Sequence, residues 1–251
     1  VFRQRVDEAV FARPLEAGDV VEAEAVELGL RHGLEPHVVI DASGRMNESS
    51  GRFAGMETLA ARDEILAELQ RRGLLREARD YRHAVGCHDR CGGGIEPYVS
   101  RQWFLRMRPL AEPALEVVRG GEVTFFPERW KNIYLSWMEN IRDWCISRQL
   151  WWGHRIPVWY CGACEAPIVA REDPVACPAC GGAEIRQDED VLDTWFSSWL
   201  WTFSPLGWPQ KTDELEKFHP TNVLVTGGDI IFFWVARMIM AALEFAGEIP
   251  F

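Results

Sequence analysis

The sequence predicts an α/β fold that carries a small cysteine-stapled ribbon, and two observations predict it. Val223-Leu-Val-Thr226 is a short apolar run, followed by Gly227-Gly228-Asp229 and then by the apolar stretch Ile230 to Phe245. Strand, glycine turn and helix in that order form the building block of a parallel α/β sheet. Cys161-Gly-Ala-Cys164 and Cys177-Pro-Ala-Cys180 form two CxxC pairs separated by twelve residues. Two such knuckles facing each other supply the four thiolates that structural zinc prefers. Read from spacing alone, the pairs could also be redox motifs or disulfides. The absence of a basic-then-apolar leader in this sequence argues against disulfides.

Along the chain, residues 1–30 are rich in Val, Ala and Glu and show no recognisable motif. Pro36-His-Val-Val-Ile-Asp41 reads as a strand and Ala42-Ser-Gly-Arg45 as a turn. Thr58 to Arg72 reads as an amphipathic helix with Leu59, Ile65, Leu66 and Leu69 on one face, Thr58 as its cap and Gly73 at its C-terminal stop. A second helix is predicted over Leu110 to Val118. A third is predicted over Lys131 to Trp144, with Ile133, Trp137, Ile141 and Trp144 aligned. Ile230 to Phe245 carries Arg237 and Glu244, so it is too short and too charged for a membrane span and reads as a buried helix.

The formal charge of −11 disfavours nucleic-acid binding by the surface as a whole, without excluding a local basic cleft. With 47% hydrophobic and 12% aromatic residues the chain can bury a core. All twelve Trp fall between Trp103 and Trp234, and every Lys lies at or beyond Lys131. These shifts suggest two regions with a boundary near residues 100–127. The chain starts at Val1 and stops in a loop at Phe251, and so reads as a fragment.

Asn140 to Pro157 holds three Trp, three Arg and one His in eighteen residues. Trp and Arg together suit a surface that stacks on and hydrogen-bonds to planar or phosphate-bearing ligands. Cys87 and Cys91 form a CxxxC pair in a glycine-rich turn, either two unrelated thiols or half of a second zinc site. Cys145 reads as a buried thiol on a helix. Trp195 and Trp234, taken from the residues alone, read as core aromatics.

About 220 residues, from near Gly29 to Phe251, resemble valyl-tRNA synthetases of class I. The matching text is Arg31-His-Gly-Leu34, Gly44-Arg-Met-Asn47, Ile95-Glu-Pro-Tyr-Val-Ser-Arg-Gln-Trp-Phe104, Pro127-Glu-Arg-Trp130, Asn140 to Pro157, Asp188 to Ser198 and Val223 to Met238. The sister enzymes for isoleucine and leucine usually read Arg-Tyr-Trp-Gly where this chain has Leu150-Trp-Trp-Gly153.

The resemblance implies an enzyme that condenses valine with ATP and Mg2+ and transfers valine to tRNA(Val). It implies a Rossmann-like catalytic domain with an inserted editing domain, a cytoplasmic location and a monomeric parent. It also implies a piece of that inserted domain over 1–86, a stalk over 87–126, and a main part over 127–251 with the ribbon at 158–187. It places Trp195 and Trp234 in the valine pocket, Thr226, Gly227, Gly228 and Asp229 in the adenylate-binding turn, and Asn140, Arg148 and His154 along the tRNA side of the cleft. Arg148 is the expected phosphate contact, and Asp229 is either a helix N-cap or an adenylate contact as well. Zn2+ at Cys161, Cys164, Cys177 and Cys180 would be structural.

Three departures stand out. The His-x-Gly-His and Lys-Met-Ser-Lys-Ser motifs of the class do not occur in this sequence, so no catalytic residue is assigned and the fragment alone is expected to be inactive. The family usually has a larger residue at the place of Gly228. Where the family reads His-Asp-x-x-Asp, this chain has Val21-Glu-Ala-Glu-Ala25, so residues 1–26 look atypical and editing would be altered. The competing reading is a zinc-ribbon module that binds nucleic acid, or a non-catalytic synthetase-like protein.

Overall fold

The computed structural model describes residues 15–16, 29, 31–35, 37–96, 98 and 100–251; nearly all of the atypical stretch 1–26 lies outside them. The chain divides into two compact units between Gln102 and Trp103.

In the first unit, the described part of the expected strand, residues 37–41, carries a single bridge between Ile40 and Met46. Val38 and Val39 are exposed, so no burial holds them extended. The Asp41 carboxylate instead folds the chain back, accepting from the Ser43 N–H at 2.8 Å and the Arg45 N–H at 3.0 Å. Those bonds hold the Asp41 carboxyl below its ordinary pKa, the Ser43 side chain contributing most. Helix α1 spans Thr58–Arg71, with Gly73 at φ +68° just past its end. Its first turn differs from expectation. Glu57 holds the N-cap position, and Thr58 Oγ1 donates to Glu96 at 2.7 Å. The predicted apolar face is not a core, because Leu59 and Leu66 are exposed and only Ala61 is buried. Arg52, Arg71 and Arg72 all pair with Glu68.

In the second unit, β1 (Phe104–Leu105) precedes α2 (Arg108–Arg119) and α3 (Arg129–Glu139). Then come β2 (Trp144–Cys145), β3 (Ser147–Arg148), β4 (Val158–Cys161), β5 (Pro167–Val169), β6 (Ile185–Gln187) and β7 (Val191–Leu192). α4 (Thr194–Ser198) and α5 (Asp213–Phe218) follow, then α6 (Ala236–Ala241), flanked by π-helical turns at Ile231–Val235 and Ala242–Ala246.

β1 pairs with β2 and β3 with β7, while β4 is the centre of the sheet β5-β4-β6. No parallel pair is registered among the described strands of this unit: the registered pairs among these seven strands are all antiparallel. Val223–Val225 is not a strand. A strand persists only beside a neighbour that takes its backbone groups, and Val223 and Val225 are exposed with no strand partner among the described residues.

The helix predicted over 131–144 ends at Glu139. Asn140 turns the chain, its Nδ2 donating to the Ser136 carbonyl at 2.8 Å, and Trp144 and Cys145 become strand. Cys145 is buried as expected, but on β2 rather than on a helix.

The core lies where α2 meets α6. Ala111 and Ala114 on one helix and Ala236 and Ala241 on the other are fully buried, so the backbones can approach closely. Met238, Ile239, Met138, Ile146 and Phe203 fill the space around them, each large side chain contributing about 1.5–3 kcal/mol by burial. Within the stretch 87–126, the apolar helix α2 belongs to this core. The ribbon has its own small core of Trp159, Cys161, Ile168 and Cys177. Asp188 fastens it to the unit, accepting from Trp103 Nε1 and from the Tyr160 hydroxyl, both at 2.9 Å.

Candidate functional site

The four ribbon cysteines converge as their spacing predicts. Their Sγ atoms all lie within 4.8 Å of one another, with Cys161–Cys180 at 3.5 Å and Cys164–Cys177 at 3.7 Å. A tetrahedral ion with bonds of about 2.3 Å to sulfur needs edges of about 3.8 Å, so the donor set fits such an ion. Glycine permits the closure. A Cβ on Gly182 would lie 3.3 Å from both Cys161 Sγ and Cys180 Sγ, and one on Gly162 would stand 2.7 Å from Glu184 Cδ. Backbone N–H groups of Ala163 and Cys164 point at Cys161 and lower its thiol to about 7, while Cys164 and Cys180 are shifted up among their neighbouring thiols, so the first proton leaves the cluster at Cys161. Cys87 and Cys91 sit in a turn closed by a Cys87–Gly94 bridge, with His88 Nδ1 3.5 Å from Cys91 Sγ. Among the described residues only the ribbon cysteines gather three or more possible metal ligands.

Trp195 and Trp234 come together at one seam, where α4 packs on the turn Ile231–Val235. Trp195 stacks on Phe233 with ring centroids 6.1 Å apart, and Trp234 Nε1 donates to the Ser198 carbonyl at 3.0 Å. Both indoles are half-buried. The turn Thr226–Asp229 leads into this same helix and faces solvent in part. Gly227, not Asp229, occupies the N-cap position, and Asp229 lies inside the first turn. The Asp229 carboxylate folds over Gly227, where a Cβ would meet Oδ1 at 2.5 Å.

The three residues expected along the tRNA side make separate contacts. Asn140 closes α3. His154 is exposed, and its carbonyl accepts from the Leu192 N–H at 2.7 Å. Arg148, the expected phosphate ligand, is engaged within the chain. Its Nη2 donates to Asp193 at 2.6 Å, and its Nη1 to the carbonyls of Cys145 and Ser147 at 2.9 and 2.8 Å. The exposed aromatic surface of this segment is instead Trp151 and Trp152.

Sequence reasoning missed Asp193 and Arg237. Asp193 is buried and also accepts from Trp144 Nε1 at 3.0 Å. Arg237 is only 7% exposed, and its guanidinium lies 3.5 Å from the Trp144 ring centroid. Its Nε and Nη1 find no hydrogen-bond partner among the described residues. Burial lowers its pKa to about 10, with Asp193 opposing the shift and Arg148 adding to it. An Asp directly before Thr194-Trp-Phe is a recognisable N-cap signal; a buried Arg within an apolar helix gives none.

The sequence matches the family model described as tRNA synthetases class I (I, L, M and V) over residues 21–251, a match that begins inside the stretch read as atypical. It is 57% identical over 225 residues to "Valine--tRNA ligase" of Symbiobacterium thermophilum and 56% identical over 225 residues to that of Petrotoga mobilis. Identity is 55% over 226 residues to the same-named protein of Treponema denticola. Each match takes in 90% of this chain and 25% or 26% of the relative, so the chain spans about a quarter of their length.

Proposed function

The chain belongs to the class I tRNA synthetases (I, L, M and V), and from that membership we propose that it is part of a valine–tRNA ligase. The single observation that carries the valine assignment is the 57% identity over 225 residues to a protein of that name. In this reading the whole enzyme joins valine to ATP, with Mg2+, as valyl-adenylate and passes valine to tRNA(Val).

Trp195 and Trp234 would wall an apolar slot for the valine side chain, and the turn Thr226–Asp229 would meet the adenylate. Glycine lets backbone approach the nucleotide, and the N-terminus of the helix that follows favours nearby negative charge. An apolar slot separates side chains differing by one methylene by only about 1–3 kcal/mol, and it rejects an isostere with an added hydroxyl poorly. A hydrolytic editing step in the parent protein therefore belongs to the proposal, the first unit being the end of the inserted domain. The ribbon cysteines would hold Zn2+. With four thiolates there is no open position to activate water, so the ion's contribution is to the fold.

The test is ATP–pyrophosphate exchange by the full-length protein with valine, isoleucine, leucine and methionine in parallel. Valine should drive exchange best, and Trp195→Ala should raise the KM for valine. Faster exchange with another of the four amino acids would overturn the assignment. This chain by itself, which lacks both nucleotide motifs, should support no exchange.

A further inference from the structure

Three hydrogen-bond donors converge on one buried carboxylate beside Trp195, one from its own N-cap turn and two from the neighbouring segment Trp144–Arg148. Asp193 Oδ1 accepts from the Trp195 N–H at 2.9 Å. Its Oδ2 accepts from Trp144 Nε1 at 3.0 Å and from Arg148 Nη2 at 2.6 Å. The Asp193 N–H in turn donates to the Ile146 carbonyl at 2.7 Å, which locks the residue to the segment between β2 and β3. The ring of Trp195 is held from the other side, by Phe233, and the Arg237 guanidinium lies 5.8 Å from the Phe233 ring while stacking on Trp144.

We propose that Asp193 is a positioning residue for the amino-acid pocket, setting Trp195 in place through its carboxylate, with Arg148 as its ion partner rather than as a phosphate ligand. The inference rests on the reading of Trp195 as a pocket wall. All three partners donate, so only an acceptor on both branches satisfies them. Asparagine, with the same shape, must aim its NH2 at a donor. Arg148 in turn is the direct ion partner of that charge, at 2.6 Å. Its Nη1 bonds to the carbonyls of Cys145 and Ser147 aim it at Asp193.

The test uses the full-length protein and measures kcat and the separate KM values for valine, ATP and tRNA in exchange and charging assays. Asp193→Asn should raise the KM for valine about tenfold, the scale expected for losing a hydrogen bond to a charged group, with the KM for ATP held within about twofold. Arg148→Lys, which keeps the charge but loses the fork, should show the same split more weakly, and it carries the test if Asp193→Asn does not fold. A purely structural role would lower the amount of active enzyme, counted by active-site titration, and leave both KM values alone; that result overturns the proposal. So does an Arg148 variant that raises the KM for ATP or tRNA and not that for valine. A silent Trp195→Ala removes the pocket reading and this inference together. A Trp195→Ala effect with silent Asp193 and Arg148 variants removes this inference only.

Discussion

Gly228 lies against the indole of Trp130: a Cβ built on Gly228 would stand 2.2 Å from Cζ2 and 2.3 Å from Cη2. Trp130 lies in the first turn of α3 and packs on the main core, so the ring cannot step aside freely. Gly228→Ala should therefore cost about 1–3 kcal/mol, the scale of overpacking a filled site. Trp130→Leu should free the space and recover part of that loss. Thermal melting of the two single variants and the double variant reads the coupling, and strictly additive effects would show that the two residues do not share this space.

Removing metal should loosen the ribbon and spare the main core. The two cores share no residues, and the four thiolates sit at the end of β4 and in the loops beyond it. Amide exchange should rise over residues 158–187 on treatment with a chelator or in Cys177→Ser, while the amides of α6 stay protected. Metal analysis should find about one Zn2+ per chain, as four thiolates bind one tetrahedral ion. Full ribbon protection without metal would refute the prediction.

Alkaline pH should act through Tyr134. Its hydroxyl donates to the Ala114 carbonyl at 3.0 Å, and burial pushes its pKa well above the ordinary value. The folded chain thus holds the phenolic proton more tightly than the unfolded chain. Its contribution to stability is complete below the unfolded pKa of about 10 and is lost as pH rises beyond it. The melting temperature should fall above about pH 10, and less steeply in Tyr134→Phe, which should cost about 0.5–1.5 kcal/mol at neutral pH for the missing hydrogen bond. Parallel melting curves from pH 8 to 11 for both proteins would contradict this.

The two arginines near Asp193 should respond with opposite signs. Arg237 is a buried charge with unpaired nitrogens. Replacing it with methionine, which keeps contact with the Trp144 ring, should leave stability unchanged or raise it by about 1 kcal/mol. Arg148→Met leaves Asp193 with its two N–H donors but without its ion partner. It should cost about 2 kcal/mol, below the full penalty for a buried pair because the Arg148 side chain is 38% exposed. Chemical denaturation of this chain compares the two, and equal losses would show that Arg237 has a partner that matters.

Legibility in the sequence followed the range of the interactions. The cysteine ribbon and the helix around Ile239 were readable because spacing and apolar run length are local. The third helix was read five residues too long because Ile141 and Trp144 continue its apolar spacing by coincidence, while Asn140 ends it. Val223–Val225 has the composition of a strand, but pairing is not a property of one segment. The Asp193 cluster was invisible because its partners lie 45 and 49 residues away in sequence. The seam at Trp195 and Trp234 came from resemblance, since an indole's neighbours cannot be read from its position in the chain.

Val223 and Val225 stand exposed in a row of residues with no strand partner among the described residues. Such a row is a template that another copy of the same segment can satisfy as readily as a strand of its own protein. Self-association of this chain should therefore rise with its concentration, and Val225→Lys should suppress it in sedimentation measurements.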